Sequence, residues 1–208
     1  MRCATVFLLF LLLPAIAPAA AWAFDAPPGQ THIGPAQVLR GHFVQTHQGK
    51  DKPPVRMSGS FVIAPATGLI WGVEKPFPTA TVITPAGMAQ EFGGIAALKI
   101  PASKLPAMRH LYDTVGHALE GDWSGLEEDY VLHRSGAPSH WQVAMTPRDS
   151  DSDGLHYASI TVTGGTYVDN ITLSKANGST DTLAFSSAAI GAAPPSSQEA
   201  AAFAQAAQ

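Results

Sequence analysis

From Gly41 onward the chain alternates. Phe43, Gln45 and His47 fall on one side of an extended segment, and His42, Val44 and Thr46 fall on the other. A period of two marks a strand with one face buried. The polar stretch QGKDKPP at 48–54 reads as a hairpin loop. Strands are expected at about 57–64, 69–74 and 80–84, with a short one near 88–92 and a turn at Pro85-Ala86-Gly87. Ahead of them, FDAPPGQTHIG at 24–34 is a Pro- and Gly-rich arm leading into a short helical turn at 35–39.

Midway the period changes. Leu105, Met108, Tyr112, Val115 and Leu119 follow one another at spacings of three, four, three and four, so they share a helix face that Leu111 and Ala118 widen. Pro106 suits the first turn, and Gly121-Asp122 stops the helix. A second, short helix is expected at 123–127. Period two then returns at 129–134, 140–146, 157–163, 166–174 and 180–186, with turns at Ser135-Gly136-Ala137-Pro138, Gly164-Gly165 and Asn177-Gly178. The order predicts an α+β protein, mainly β, in which one amphipathic helix lies on an antiparallel sheet. The tail at 191–208, rich in Ala, Gln and Ser, is expected to be loosely held.

The N-terminus sets the compartment. Arg2, the apolar run at 6–16 and Ala21-Trp22-Ala23 have the order of a cleavable signal peptide at 1–23, so the mature chain is expected to start at Phe24 and be exported to the periplasm. Cys3 precedes the apolar run and leaves with it, so no disulfide is expected. Formal charge is −4 for the full chain and one unit more negative without Arg2. No basic stripe points to nucleic acid.

Candidate chemistry is thin. Asp149, Asp151, Asp153 and Gly154 resemble the start of a calcium loop, but its twelfth position is Ile160, where a bidentate glutamate is needed. The eight histidines (32, 42, 47, 110, 117, 133, 140, 156) show no zinc-ligand spacing, so neither metal nor cofactor is expected. Ser124 is flanked by glycine but follows a helix rather than a strand, unlike a nucleophile elbow. An acyl-ester hydrolase would have to assemble Ser124, a histidine and Asp122 or Asp129 through the fold. What remains is apolar: Phe61, Ile63, Leu69, Trp71, Val73, Trp141, Val143 and Met145, with Met108, Tyr112, Val115 and Leu119 on the helix. An ordinary core between sheet and helix is the default for such a set, and periodicity does not distinguish it from a lidded cavity.

A resemblance bears on that choice. Leu39-Arg40-Gly41-His42-Phe43-Val44-Gln45-Thr46 resembles the G-x-F-x-Q strand of the LolA family, periplasmic carriers of outer-membrane lipoproteins. The S-G-x-F strand at 58–61, Pro65, Trp71 and the E-K-P-F-P run at 74–78 follow in that family's order, and I-T-P-A-G at 83–87 stands where it has a turn. The resemblance runs from about 36 to 190, and so implies a carrier domain at 24–190. It implies an unclosed, curved antiparallel β-barrel, a half-barrel, whose helical lid encloses an apolar cavity for acyl chains. Phe43, Phe61, Ile63, Leu69, Trp71, Val73, Met108, Tyr112, Val115, Leu119, Trp141 and Val143 would then be its lipid-binding residues.

The implied function is non-enzymatic, carried out by a monomer. The cargo would be an acylated lipoprotein or lipid, and the partners an inner-membrane exporter or releasing complex and an outer-membrane acceptor. Ala64 stands where carriers of this family have an arginine that bonds to the lid. That departure, and the similarity of 105–132 to a divergent branch accompanying lipid or aryl-polyene exporters, leaves a shuttle for a non-protein lipid as the alternative.

Overall fold

A computed structural model describes residues 30–65, 67–104, 106–148, 157–192 and 195–207, with the backbone alone at 96, 97, 106–112 and 192. The elements in chain order are β1 (Gln37–Gln48), β2 (Val55–Ala64), β3 (Gly68–Lys75), β4 (Thr79–Ile83), β5 (Gly87–Phe92) and β6 (Ile95–Pro101). Helix α1 (Pro106–Glu120) follows, then β7 (Tyr130–Ala137), β8 (His140–Pro147), β9 (Tyr157–Gly164), β10 (Val168–Lys175), β11 (Thr180–Ala192) and α2 (Ser197–Ala206). All eleven strands form one antiparallel sheet in the order β6-β5-β4-β3-β2-β1-β11-β10-β9-β8-β7. β6 and β7 are its edges and do not pair with each other, so the barrel is open.

Curvature follows from which strands meet. β4 and β9 are six places apart, about 29 Å in a flat sheet at 4.7–4.9 Å per strand. Yet Ile83 of β4 and Tyr157 of β9 line one cavity, so the sheet curls upon itself. The alternation along β8, where Trp141, Val143 and Met145 are buried between more exposed neighbours, supplies its inner face. The rhythm slips at Tyr157 to Ile160 and at Val168 to Ile171, and the β9–β10 register shifts at both places. Each is a bulge, which adds a residue and bends the strand. Gly59 of the S-G-x-F strand is also structural: a Cβ there would overlap the carbonyl oxygen of Gly72 on β3.

The inner core joins Phe43, Phe61, Ile63 and Leu69 to Trp141, Val143, Met145, Ile160 and Ile171, with Ala118 and Leu119 of α1 laid on them. The C-terminal end of α1 is tied down. Ile33 N–H donates to Glu120 O at 2.8 Å, and Gln30 Nε2 donates to Ala118 O at 2.7 Å. Trp123 donates through Nε1 to Gln30 Oε1 at 2.8 Å and meets Trp141 edge-on. A 3-10 turn occupies Ser124–Glu127, where the short helix is expected.

Three departures stand out. Among the described residues only a turn at Pro35-Ala36 precedes β1, rather than a helical turn at 35–39. β6 fills a stretch to which the sequence pattern assigns no element; as an edge it needs no alternation, and Ile95 and Leu98 are exposed on it. The third is the tail. Where 191–208 is expected to be loose, β11 runs to Ala192 and α2 docks on the outer face of the sheet. Phe203 and Ala206 are buried there with Val38, Ala64, Val82 and Ala89. Ser196 and Glu199 form a reciprocal capping box. Arg40 on β1 donates to both carboxylate oxygens of Glu199, Nε at 2.8 Å and Nη2 at 2.7 Å.

Candidate functional site

Between the inner face of the sheet and α1 lies a cavity of about 250 Å³. Leu69 and Trp71 of β3, Ile83 of β4, Leu173 of β10 and Leu183 of β11 form its apolar walls, and Val115 of α1 stands over them. At its aromatic end Phe43 stacks on Trp71 with centroids 3.7 Å apart, and Phe185 meets the rings of Phe61 and Trp71 edge-on. These contacts fix the Trp71 ring at the boundary between solid core and open space.

The expected lipid-binding residues separate into three groups. Leu69, Trp71 and Val115 line the cavity. Phe43, Phe61, Ile63, Leu119, Trp141 and Val143 are inner-core residues at most 3 % exposed, and Val73 packs beside them. They shape the chamber from behind. The side chains of Met108 and Tyr112 lie outside the described residues. Ala64, at the position of the family's lid-bonding arginine, packs with Phe203 under α2 on the outer face. An arginine at this position would meet α2, not α1.

Polar groups that the apolar pattern overlooks stand at one end of the cavity. Gln45, Thr81 and Asp181 share its lining, and Asp181 is buried to 9 % exposure. Its Oδ1 lies 2.7 Å from His47 Nδ1, directly across the β1–β11 ladder, and its Oδ2 lies 3.7 Å from Lys175 Nζ. That Nζ is 5.3 Å from the centre of the Tyr157 ring. The sequence signal was present: Gln45 and His47 share a face with Phe43, and an inward strand face that turns polar marks a rim.

Ser124 has no catalytic geometry. In a Ser-His-acid triad the histidine stands between hydroxyl and carboxylate. Here Asp122 is in the middle: Ser124 donates to its Oδ1 at 2.7 Å, and His117 Nδ1 is 3.7 Å from its Oδ2. The Ser124 hydrogen bond holds the Asp122 carboxyl below its ordinary range, whereas burial raises that of Glu120. Among the described residues no three His, Cys, Asp or Glu side chains converge on a common point. The calcium-like loop at 149–153 and the signal segment at 1–23 lie outside the described residues.

A second depression of about 470 Å³ runs beside α2 on the outer face, between Phe203 and Ala200 and the loop residues Thr67, Pro85 and Ala86. It is larger and somewhat more open than the inner cavity, and among the described residues no helix lies over it from the sheet's concave side.

A family described as outer membrane lipoprotein carrier protein LolA-like matches residues 19–205. No curated protein matches the chain in sequence. Among solved structures the chain is similar to a LolA superfamily protein from Nitrosomonas europaea, at 8% identity and a TM-score of 0.41 over 80% of this chain and 90% of that one. It is also similar to the MucA/MucB complex of Pseudomonas aeruginosa, at 17% identity and a TM-score of 0.46, covering 79% of this chain and 55% of that one. For LprF from Mycobacterium bovis the values are 15% and 0.38, over 76% and 88%.

Proposed function

The chain belongs to the LolA-like family of outer-membrane lipoprotein carriers, and on that premise we propose that it is a non-enzymatic carrier shielding an acyl chain in the periplasm. The observation that carries the proposal is the apolar cavity between the open sheet and α1. Exposing a sixteen-carbon chain to water costs about 13 kcal/mol, at about 0.8 kcal/mol per methylene. A cavity walled by Leu69, Trp71, Ile83, Leu173 and Leu183 offsets that cost by replacing water with side chains.

The cavity is smaller than the roughly 300–1,000 Å³ of pockets that enclose drug-sized ligands. Cargo therefore enters by lifting α1. Its C-terminal end, tied to Gln30 and Ile33, is the pivot. The helix rises off the cavity and closes over the chain, as lids do when they separate a ligand from water. Export by a cleaved signal peptide at 1–23, and delivery from an inner-membrane exporter or releasing complex to an outer-membrane acceptor, belong to the same proposal.

A second reading has one specific support. Ala64 carries no latch toward α1 and serves the α2 contact instead. A shuttle for a non-protein lipid would need no lipoprotein-triggered latch. Mass spectrometry of acylated material bound to protein from its native periplasm separates the two. Recovery of a lipoprotein supports the first reading and of a free lipid the second. Protein free of acyl groups that also fails to bind a fluorescent fatty acid would refute both.

A further inference from the structure

The polar end of the cavity is built asymmetrically. Asp181 is the buried member of its cluster, with its side chain 13% exposed, whereas those of His47 and Lys175 are 43% and 31% exposed. The carboxylate borders the cavity, and its two nitrogen-bearing partners are the more exposed members of the cluster. Because Asp181 faces Nδ1 of His47, that nitrogen donates and the other nitrogen of a neutral imidazole is an acceptor, so His47 anchors Asp181 rather than receiving an anion itself. Lys175 has three N–H donors, and at 3.7 Å from Asp181 it is within ion-pair reach but not committed to a short hydrogen bond. The β1–β2 loop adds Lys50, whose side chain passes beside Gly178 at the same end.

Gln45 and Asp181 line the cavity wall itself, so this cluster stands where an acyl chain inside would end. We infer that Lys175, held between the cavity-lining Asp181 and Tyr157, binds the anionic head group, carboxylate or phosphate, of a single-chain amphiphile whose tail fills the apolar cavity. The chemistry selects oxygen acceptors. A cationic amine would approach a carboxylate already shielded by two partners, and a hydroxyl would gain no charge-assisted bond. Lys175 provides the charge and Gln45 an amide donor, while Asp181 acts as a positioning residue. The inference rests on the carrier reading and narrows its cargo.

The test uses three probes with the same tail: dodecanoate, dodecyl phosphate and dodecanol. Their affinities are measured by calorimetry on the full chain, on Lys175→Gln and on Lys175→Met. A charge-assisted hydrogen bond corresponds to at least about tenfold in affinity, so one or both anions should bind about tenfold more tightly than the alcohol. Lys175→Gln should bring the anions to the level of the alcohol and leave the alcohol unchanged. Which anion binds better distinguishes a fatty-acid head group from a phosphate. Lys175→Met supplies the same comparison should Lys175→Gln fail to fold. Equal affinities for all three probes, or a uniform loss in both variants, would overturn the head-group site and leave the carrier reading standing. No binding of any probe, the alcohol included, overturns both.

Discussion

Glu199→Gln should loosen α2 from the sheet while keeping the start of the helix intact. Gln can replace Glu at the third position of a capping box, so the bond from Ser196 N–H survives and the ion pair with Arg40 is removed. The hydrogen bonds from Arg40 hold the Glu199 carboxyl at about 2, against an ordinary 4.5. That gap sets a ceiling of about 3.4 kcal/mol, at 1.36 kcal/mol per tenfold. Arg40 is 39% exposed, and solvent screening reduces the figure to about 1–2 kcal/mol. The sign is fixed by linkage. A carboxyl whose folded pKa is depressed stabilises the protein fully above its unfolded value and loses that contribution as pH falls through the folded one. Urea unfolding of wild type, Glu199→Gln, Arg40→Met and the double variant should give a coupling of about 1–2 kcal/mol at pH 7 that fades from about pH 5 and is gone near pH 2. A coupling below about 0.3 kcal/mol at pH 7, within the scatter of independent sites, would refute the strap. So would one that does not change down to about pH 2.

Three shorter predictions bear on the same architecture. Gly68 has φ +148°, and a Cβ there would overlap the Ile83 carbonyl; Gly68→Ala should cost about 1–3 kcal/mol in urea melts. Ser124→Ala should lower stability by no more than about 1 kcal/mol, the scale of a lost hydrogen bond, and leave hydrolysis of a p-nitrophenyl ester at the uncatalysed rate with and without the substitution. Val115→Glu puts a charge over the apolar walls. It should abolish binding of a fluorescent fatty acid while far-UV circular dichroism keeps the wild-type sheet signal, because burial of an unpaired carboxylate costs several kcal/mol.

Much of the sheet was legible because inner-face positions repeat every second residue, as at Trp141, Val143 and Met145. α1 was legible from its stripe. The edge strand β6 was not, since IAALKIP has neither alternation nor a β-branched run. α2 was misread because an alanine-rich segment looks too polar and too plain to bury anything, yet Ser196, Glu199 and Phe203 carried a capping box and an anchor. Its pairing with Arg40, 159 residues away, has no local signal. The site was legible in kind but not in detail. Ile63 and Leu69 obey the same alternation and face each other across β2 and β3, yet only Leu69 borders empty space. What lies opposite a side chain across a curled sheet is a property of curvature, and curvature comes from bulges that the apolar pattern does not announce.

The most direct test of the carrier account is photo-cross-linking with a fatty acid bearing a diazirine on its tail, followed by peptide mapping of the adducts. The account predicts labels on the β3 and β4 segment containing Leu69, Trp71 and Ile83 and on the α1 segment containing Val115, competed away by unlabelled fatty acid. Labels concentrated on α2 around Ala200 and Phe203, or none that unlabelled fatty acid displaces, would contradict it.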